Sequence, residues 1–193
     1  MNDRIFTLTM LLGSLVLFSS CNKQGKESAR QMPALTQGSS PSAIAGIRWQ
    51  VPERWQVQPQ RQMRIATYVV PAATKDVEAG ECAVFYFGSG EGGDVESNIT
   101  RWIGQFEGAN KPVRSTRVID GLKVSLINLS GTYRSAGGPM MASGEKKEGY
   151  RLVGAIVEAP MGLVFFKLTG PEAVVASAEG EFNGLVESVG HNQ

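Results

Sequence analysis

The chain has 193 residues, and its 19 basic and 18 acidic side chains leave a formal net charge of only +1 at pH 7. No run of Lys or Arg is long enough to form a basic surface for the nucleic-acid backbone, which argues against DNA or RNA as a partner. Residues 46–190 are enough for one globular domain with a single hydrophobic core.

The N-terminal segment is predicted to be a signal for export. Residues 5–18 form an uncharged apolar run that is shorter than the about 20 apolar residues of a membrane-spanning helix and suits a signal peptide. Two small residues, Ser19 and Ser20, then precede Cys21. This pattern resembles the lipobox of bacterial lipoproteins. The resemblance implies that residues 1–20 are removed and that Cys21 becomes the first residue, carrying a diacylglycerol thioether and palmitate-type acyl chains.

Two alternatives to lipidation stay open, an ordinary cleaved signal peptide in which Cys21 is incidental and an uncleaved anchor. If Cys21 is lipidated, two or more acyl chains would hold the protein on a membrane of the bacterial cell envelope, since each buried methylene contributes about 0.8 kcal/mol. An Asp after the lipidated cysteine tends to retain enterobacterial lipoproteins in the inner membrane. Asn22 stands there instead, which favours the periplasmic face of the outer membrane.

Residues 21–45 are rich in Ser, Gln, Ala, Pro and Gly and contain no aromatic residue, so they are predicted to form a flexible tether. Once Cys21 is acylated, Cys82 has no cysteine left with which to form an internal disulfide. Free cysteine is among the most buried residue types, and we expect Cys82 to lie in the core.

The following domain alternates between strand and helix patterns. Residues 49–55 are predicted to be a short strand that runs into a turn. Runs of β-branched and aromatic residues bounded by turn residues predict further strands over 63–70, 82–87, 113–119, 122–133, 151–159 and 163–168. Apolar residues on both faces of the 82–87 strand indicate a central position in the sheet. The tight connections Asp120-Gly121 and Pro160-Met161-Gly162 predict antiparallel hairpins.

Two segments have the helical period of about 3.6 residues. The first helix is predicted over 94–107, with Asp94 as its N-cap, Trp102 and Phe106 on its apolar stripe, and Gly108 or Asn110 at its end. The second is predicted to start at Pro171 and to bury a stripe that reaches Val189. Gly180 inside it costs about 1 kcal/mol relative to Ala, which favours a bend or close packing there.

This order of elements predicts an α+β fold, an antiparallel or mixed β-sheet packed by two amphipathic helices. Together with the segment Trp49-Gln50-Val51-Pro52-Glu53-Arg54-Trp55 and the step Lys167-Leu168-Thr169-Gly170-Pro171 into the last helix, it resembles the PsbP-like superfamily. That superfamily includes the PsbP subunit of photosystem II, the DcrB family of envelope lipoproteins and the Mog1-like Ran-binding proteins. The resemblance implies a protein that binds partners or assists assemblies, and it transfers no functional residue.

A glycine-rich turn is the first candidate site. Gly88, Gly90 and Gly93 satisfy the dinucleotide fingerprint G-x-G-x-x-G between a strand and a helix, and Asp120 follows the next predicted strand. However, Glu91, Asp94 and Glu96 would place negative charge where a phosphate binds. We therefore favour a flexible connection, with small-molecule or nucleotide binding at 88–94 as the alternative.

The loop 134–149 is the second candidate, because it is long for a hairpin connection. Met140 and Met141 at its apolar tip suit contact with a partner protein, while plain disorder is the alternative. Ser143 to Lys146 fits S-x-x-K, and Lys167-Leu168-Thr169-Gly170 resembles K-T-G. The first lacks a helix, the second has an inserted Leu, and the chain is too short for a penicillin-binding enzyme.

The remaining residue types point away from catalysis and cofactors. The lone histidine, His191, lies at the C-terminal end, so no Ser-His or Cys-His pair and no usual zinc or copper ligand set is expected in the domain. We therefore expect no catalytic residue, metal or cofactor. The expected function is that of a non-enzymatic, membrane-tethered binding or assembly module whose partner is an envelope protein.

Overall fold

The computed structural model describes residues 42–135 and 145–192. The predictions for the signal peptide, Cys21, Met140 and Met141 lie outside these residues. Along the described chain the elements are β1 Ala43–Ile44, β2 Ile47–Arg48, β3 Gln56–Val57, β4 Ala66–Val70, β5 Gly80–Tyr86, α1 Val95–Ile103, β6 Phe106–Glu107, β7 Val113–Ile119, β8 Leu122–Arg134, β9 Lys146–Ala159, β10 Gly162–Pro171, α2 Glu172–Glu187 and β11 Gly190–His191. In this part of the chain, neither helix has the length and apolar character needed to cross a membrane.

Eight of the strands form one antiparallel sheet. Seven of them follow the order β3-β4-β5-β10-β9-β8-β6, and the eighth, β7, pairs with the same edge of β8 as β6 but at the other end of that strand. The short strands β1, β2 and β11 form a second antiparallel sheet. The predicted hairpins are present, with Asp120 and Gly121 both at positive φ between β7 and β8. The α+β class and the antiparallel sheet with two helices are confirmed.

The two helices cover opposite faces of the large sheet. The α2-side core is built around Tyr68, Val84, Val124, Phe166, Phe182 and Leu185. The α1-side core contains Ile99, Trp102, Ile127, Leu129, Leu152, Ile156 and Phe165. In the central strand β5, Val84 belongs to the first core while Phe85 packs against the second, because successive side chains of a strand point to opposite faces. Cys82 is fully buried in the α2-side core, as expected.

The first helix begins as predicted and ends earlier. The Oδ1 atom of Asp94 accepts a hydrogen bond of 2.7 Å from the backbone N–H of Ser97, as an N-cap does. The helix stops at Ile103 with Gly104 as its C-cap, so the end predicted at Gly108 or Asn110 is wrong. The reason is strand pairing. Phe106 and Glu107 leave the helical path and pair with the edge of β8, where the ring of Phe106 packs 5.2 Å from that of Tyr133.

Several other boundaries differ from prediction. Residues 49–55 connect β2 to β3 and form no strand, since both tryptophan rings turn inward to the α2-side core. The strand predicted to start at Arg151 begins at Lys146. Pro171 ends β10 and is the N-cap of α2, so it precedes the first turn of that helix. Ala43 and Ile44, at the end of the predicted tether, form β1.

A glycine in the middle of β9 sets the position of α1. A Cβ atom added to Gly154 would lie 2.4 Å from Cζ3 of Trp102, well inside van der Waals contact. The Trp102 ring therefore occupies the space that a side chain at residue 154 would fill, and Trp102 is only 6% exposed. By contrast, a Cβ atom on Gly180 in α2 would meet nothing within 4 Å, so the close packing predicted there is wrong.

The same substitution at these two glycines is expected to have opposite effects. Gly154→Ala should lower the free energy of unfolding by about 1–3 kcal/mol, because the new methyl group collides with a large ring that is held in the core. Gly180→Ala should raise it by about 1 kcal/mol, because alanine forms helix better than glycine at an exposed position. Urea denaturation measures both.

The Trp102→Leu background provides the control for the collision. In that background Gly154→Ala should lower the free energy of unfolding much less, because the ring atoms with which the new methyl group would clash are absent. An equal cost in both backgrounds would show that the Trp102 ring is not the cause.

Candidate functional site

Next to α1, on the same face of the sheet, lies an open cleft of about 430 Å³. We define the cleft by the residues Arg64, Val69, Glu78, Glu81, Phe85, Tyr133, Lys147, Tyr150, Lys167 and Thr169, which line it together with small residues of β5 and β10. These residues come from β4, β5, β8, β9, β10 and the loops that precede them. The antiparallel sheet thus gathers polar side chains from sequence positions more than 100 residues apart.

Lys167 lies on the floor of the cleft. On the neighbouring strands its register partners are Ala83 and Gly154. Ala83 is small and leaves space beside the lysine side chain, whereas the Trp102 ring fills the space over Gly154. Its Nζ atom donates to Oε1 of Gln105 over 2.5 Å and lies 5.3 Å from the centre of the Tyr133 ring. Burial of the amine, together with the nearby Arg64 guanidinium, lowers the pKa of Lys167 to about 8.

Thr169 follows Lys167 on the same face of β10, because alternate residues of a strand share a face. Its Oγ1 atom is buried and has no hydrogen-bond partner among the described residues. A buried polar group without a partner costs about 1–3 kcal/mol, so such groups are rare in folded proteins. The cleft therefore contains a hydroxyl whose hydrogen-bonding capacity is unused within the described chain.

Two stacked tyrosines form one wall of the cleft. The rings of Tyr133 and Tyr150 are nearly parallel, with their centres 5.8 Å apart. Burial raises the pKa of Tyr133, and burial together with a hydrogen bond to Glu78 raises the pKa of Tyr150 to about 12. Both phenols are therefore neutral at physiological pH, and the wall presents uncharged ring surface.

The two carboxylates of the cleft are already paired. Glu78 accepts hydrogen bonds from Nζ of Lys147 and from the hydroxyl of Tyr150, each over 2.5 Å, and these bonds hold its pKa below the ordinary value. Glu81 accepts from Arg64 over 2.7 Å and from Arg61 over 3.0 Å. Lys167 takes part in none of the ion pairs among the described residues. Its Nζ atom contacts the neutral amide of Gln105 and the face of Tyr133, and the Glu81 carboxylate favours its charged form without pairing with it.

The glycine-rich turn lies apart from the cleft, between β5 and α1. Gly88, Gly90 and Gly93 have φ angles of 111°, 77° and 80°, values that favour glycine. The sheet around the turn is antiparallel, whereas the dinucleotide fingerprint belongs to a parallel βαβ unit.

The electrostatics of the turn are also unfavourable for a phosphate. The carboxylate of Asp94 already occupies the first turn of α1, and Glu91 and Glu158 line the depression of about 400 Å³ beside the turn. Asp120, at the end of β7, accepts a hydrogen bond from the backbone of His191. The guanidinium of Arg101 also lies close to Gly93, where it donates to Oδ1 of Asn98, so one cation stands against three carboxylates at the turn.

Sequence reasoning missed the cleft almost entirely. Of its residues, Lys167 and Thr169 belong to a K-T-G-like pattern that Leu168 interrupts, and this pattern predicts no binding cleft. One signal was present, a lysine in the middle of the apolar run Phe165, Phe166, Lys167 and Leu168. A charged residue at an inward-facing strand position is unusual unless it has a partner or a role.

The chain matches no known family model and no curated protein. Among solved structures, it is similar to PA94, a protein of unknown function from Pseudomonas aeruginosa, with 16% identity, a TM-score of 0.44, and coverage of 72% of this chain and 86% of that one. It is also similar to the cyanobacterial PsbP of Synechocystis, with 11% identity, a TM-score of 0.41, and coverage of 81% and 99%. The resemblance described under Sequence analysis is to the same PsbP-like superfamily. Likenesses this distant transfer no function.

Replacing Lys167 by Met is expected to change how stability depends on pH. An unfolded lysine has a pKa near 10.4, above the value of about 8 in the folded protein. Between these pH values the unfolded chain binds more protons, so this lysine makes the free energy of unfolding rise with pH. Below that window the amine is charged in both states, and its unfavourable contribution is fully present.

Urea denaturation at about pH 7.5 and about pH 9.5 tests this expectation. The wild-type protein should gain stability relative to Lys167→Met at the higher pH, while Lys123→Met, which removes an exposed lysine paired with Glu158, should show no such shift. A difference between wild type and Lys167→Met that is constant with pH would contradict the partly desolvated amine.

Proposed function

We propose that this protein is a non-enzymatic binding module whose ligand or partner enters the cleft. The observation that carries the proposal is the pairing of a desolvated amine with a buried, unpartnered hydroxyl, Lys167 and Thr169, in a cavity that is open to solvent. Folding removes both groups from water. In exchange, the Lys167 amine gains one hydrogen bond, to Gln105, and the Thr169 hydroxyl gains none among the described residues. A bound molecule that supplies those contacts would recover this cost.

The Thr169 hydroxyl and the Cys82 thiol are not arranged for nucleophilic catalysis. A catalytic hydroxyl needs a base within hydrogen-bonding distance, and the Thr169 hydroxyl has no such contact among the described residues. The Cys82 thiol is fully buried in the opposite core, and burial raises its pKa well above the ordinary value. Neither group is activated in this arrangement.

We further propose that the module is a lipoprotein of the bacterial cell envelope, held at the periplasmic face of a membrane through Cys21. The support for this is the sequence Ser19-Ser20-Cys21 after an apolar run of signal-peptide length, together with the tether-like composition that follows. Its partner would then be another envelope protein or a molecule of that compartment.

Cys21→Ser tests the anchor. The native protein should fractionate with membranes, partition into detergent and carry the mass of an acylated glycerol at its N-terminus. The variant should lack lipid and remain a precursor, while the domain stays folded, because Cys21 precedes every strand and helix described here. Native protein in the soluble fraction with an unmodified N-terminus would refute lipidation.

A photo-crosslinking amino acid placed at Val69, on the wall of the cleft, tests the binding site in cells. We expect adducts from this position that are absent when the crosslinker replaces Val118, which is 72% exposed on β7, outside the cleft. Both variants should have wild-type thermal stability. Equal adducts from the two positions, or none from Val69, would refute the cleft as the binding site.

A further inference from the structure

We propose that the cleft recognises a carboxylate, held by Nζ of Lys167 and the hydroxyl of Thr169, with an apolar or aromatic group of the ligand against the tyrosine wall. The inference rests on the proposed function, because it takes the cleft to be the binding site and names the chemical class that enters it. The carboxylate belongs either to a small organic acid or to the C-terminus of a polypeptide, and the experiment below separates these sources.

The balance of charge in the cleft selects an anion. Glu78 is matched by Lys147, and Glu81 is matched by the guanidinium groups of Arg61 and Arg64. Among the described residues no carboxylate forms an ion pair with Lys167, and the nearby Glu81, which favours its charged form, is already bound by the two arginines. An anionic ligand would supply the missing counter-charge, whereas a cationic ligand would meet the repulsion of Lys167 and Arg64.

The hydrogen-bonding groups select two acceptor oxygens. An ammonium group has three N–H donors and no acceptor, and among the described residues the Lys167 side chain makes a single hydrogen bond, to Gln105. The unpartnered Thr169 hydroxyl supplies a second donor on the same face of β10. A carboxylate presents two oxygens, one for each donor.

Carboxylate is favoured over phosphate by the carboxyl groups around the cleft. Glu78 and Glu81 both line it, and their negative charges disfavour a ligand with a second negative charge. Dianionic phosphate is usually held by several arginines or backbone N–H groups. A single lysine and a single hydroxyl match a ligand group with one charge.

The remaining walls suit an apolar group beside the carboxylate. Phe85 and the stacked rings of Tyr133 and Tyr150 line the same cavity, and both phenols are neutral. The cavity of about 430 Å³ lies within the range of small-ligand sites. A phenyl-sized group therefore has both room and ring surface to contact.

The pH dependence of binding provides an independent signature. The charged or titratable groups that face Lys167 are Arg64, Glu78, Glu81, Arg101, Tyr133, Lys147 and Tyr150. Both tyrosines have raised pKa values, the pKa of Lys147 is raised by its hydrogen bond to Glu78, and the pKa of Glu78 is lowered by the same bond. Lys167, with a pKa of about 8, is therefore the group that loses its charge between neutral and mildly alkaline pH.

Calorimetric titration of the purified full-length protein tests the carboxylate. The probes are phenylacetate and its amide, a short peptide ending in phenylalanine with a free or an amidated C-terminus, and inorganic phosphate. We expect a carboxylate probe to bind at least about tenfold more tightly than its amide, and its affinity to fall as the pH rises from about 7 to about 9.5. Binding of phenylacetate alone assigns the small acid, and binding of the free peptide alone assigns a chain terminus.

Three variants locate the bound carboxylate. Lys167→Met should weaken the better probe by about tenfold or more and abolish its pH dependence, and Thr169→Val, which is isosteric, should weaken it about three- to tenfold. Lys123→Met, on β8 and paired with Glu158, should bind like the wild type. All variants are first checked for wild-type thermal unfolding.

The proposal is refuted if amides bind as well as acids, if phosphate binds in preference, or if Lys167→Met leaves carboxylate binding unchanged. It is also refuted if no carboxylate probe binds. If adducts still form from Val69 in cells in that case, the cleft binds a ligand of another class and the binding function stands. Absence of those adducts counts against the binding function itself.

Discussion

The contact of the Trp102 ring with the bare backbone of Gly154 fixes α1 on the sheet. The helix has only nine residues, and Ile99 and Trp102 are the apolar side chains that it buries. Because β9 offers no side chain at this point, the large ring lies directly on the strand, with its edge toward Phe165. The position of α1 in turn places Gln105, just after the helix, within reach of Lys167. The polar floor of the cleft thus depends on an apolar contact beside it.

The cleft holds groups that a protein selected for stability alone would not keep there. A lysine and a threonine occupy inward-facing positions of a strand whose other face is closely packed with Phe166 and Leu168. Each draws a polar atom out of water, and the tyrosines beside them keep raised pKa values for the same reason. Groups that lower the stability of the folded protein in this way are common at functional sites of proteins. The small side chain of Ala83 leaves space beside Lys167 on one neighbouring strand, while the Trp102 ring fills the space over Gly154 on the other.

Local chemistry made much of the fold predictable, because a cap, a turn or a periodic stripe depends on adjacent residues. The Asp94 cap and the Asp120-Gly121 turn are of this kind. The end of α1 is not, since Phe106 leaves the helix to pair with Tyr133, 27 positions later in the sequence. The cleft is still less local. Lys167 is a local signal, a charge in an apolar strand, but its neighbours Arg64, Gln105 and Tyr133 are brought to it by strand order, which the sequence pattern did not determine.

The small sheet has a mechanical consequence. β1 and β2 form a two-residue hairpin, closed by a hydrogen bond from Trp49 to Ser42, and this hairpin lies outside the eight-stranded sheet. The hairpin is also fastened from below, since Ala45 and Ile47 are buried in the α2-side core. Its turn accepts hydrogen bonds from the backbone of Met161 and Asn192, and β2 pairs with β11. A pull on the chain before Ser42 is therefore shared between the small sheet, the core beneath it and the C-terminal strand before it reaches the strands of the cleft.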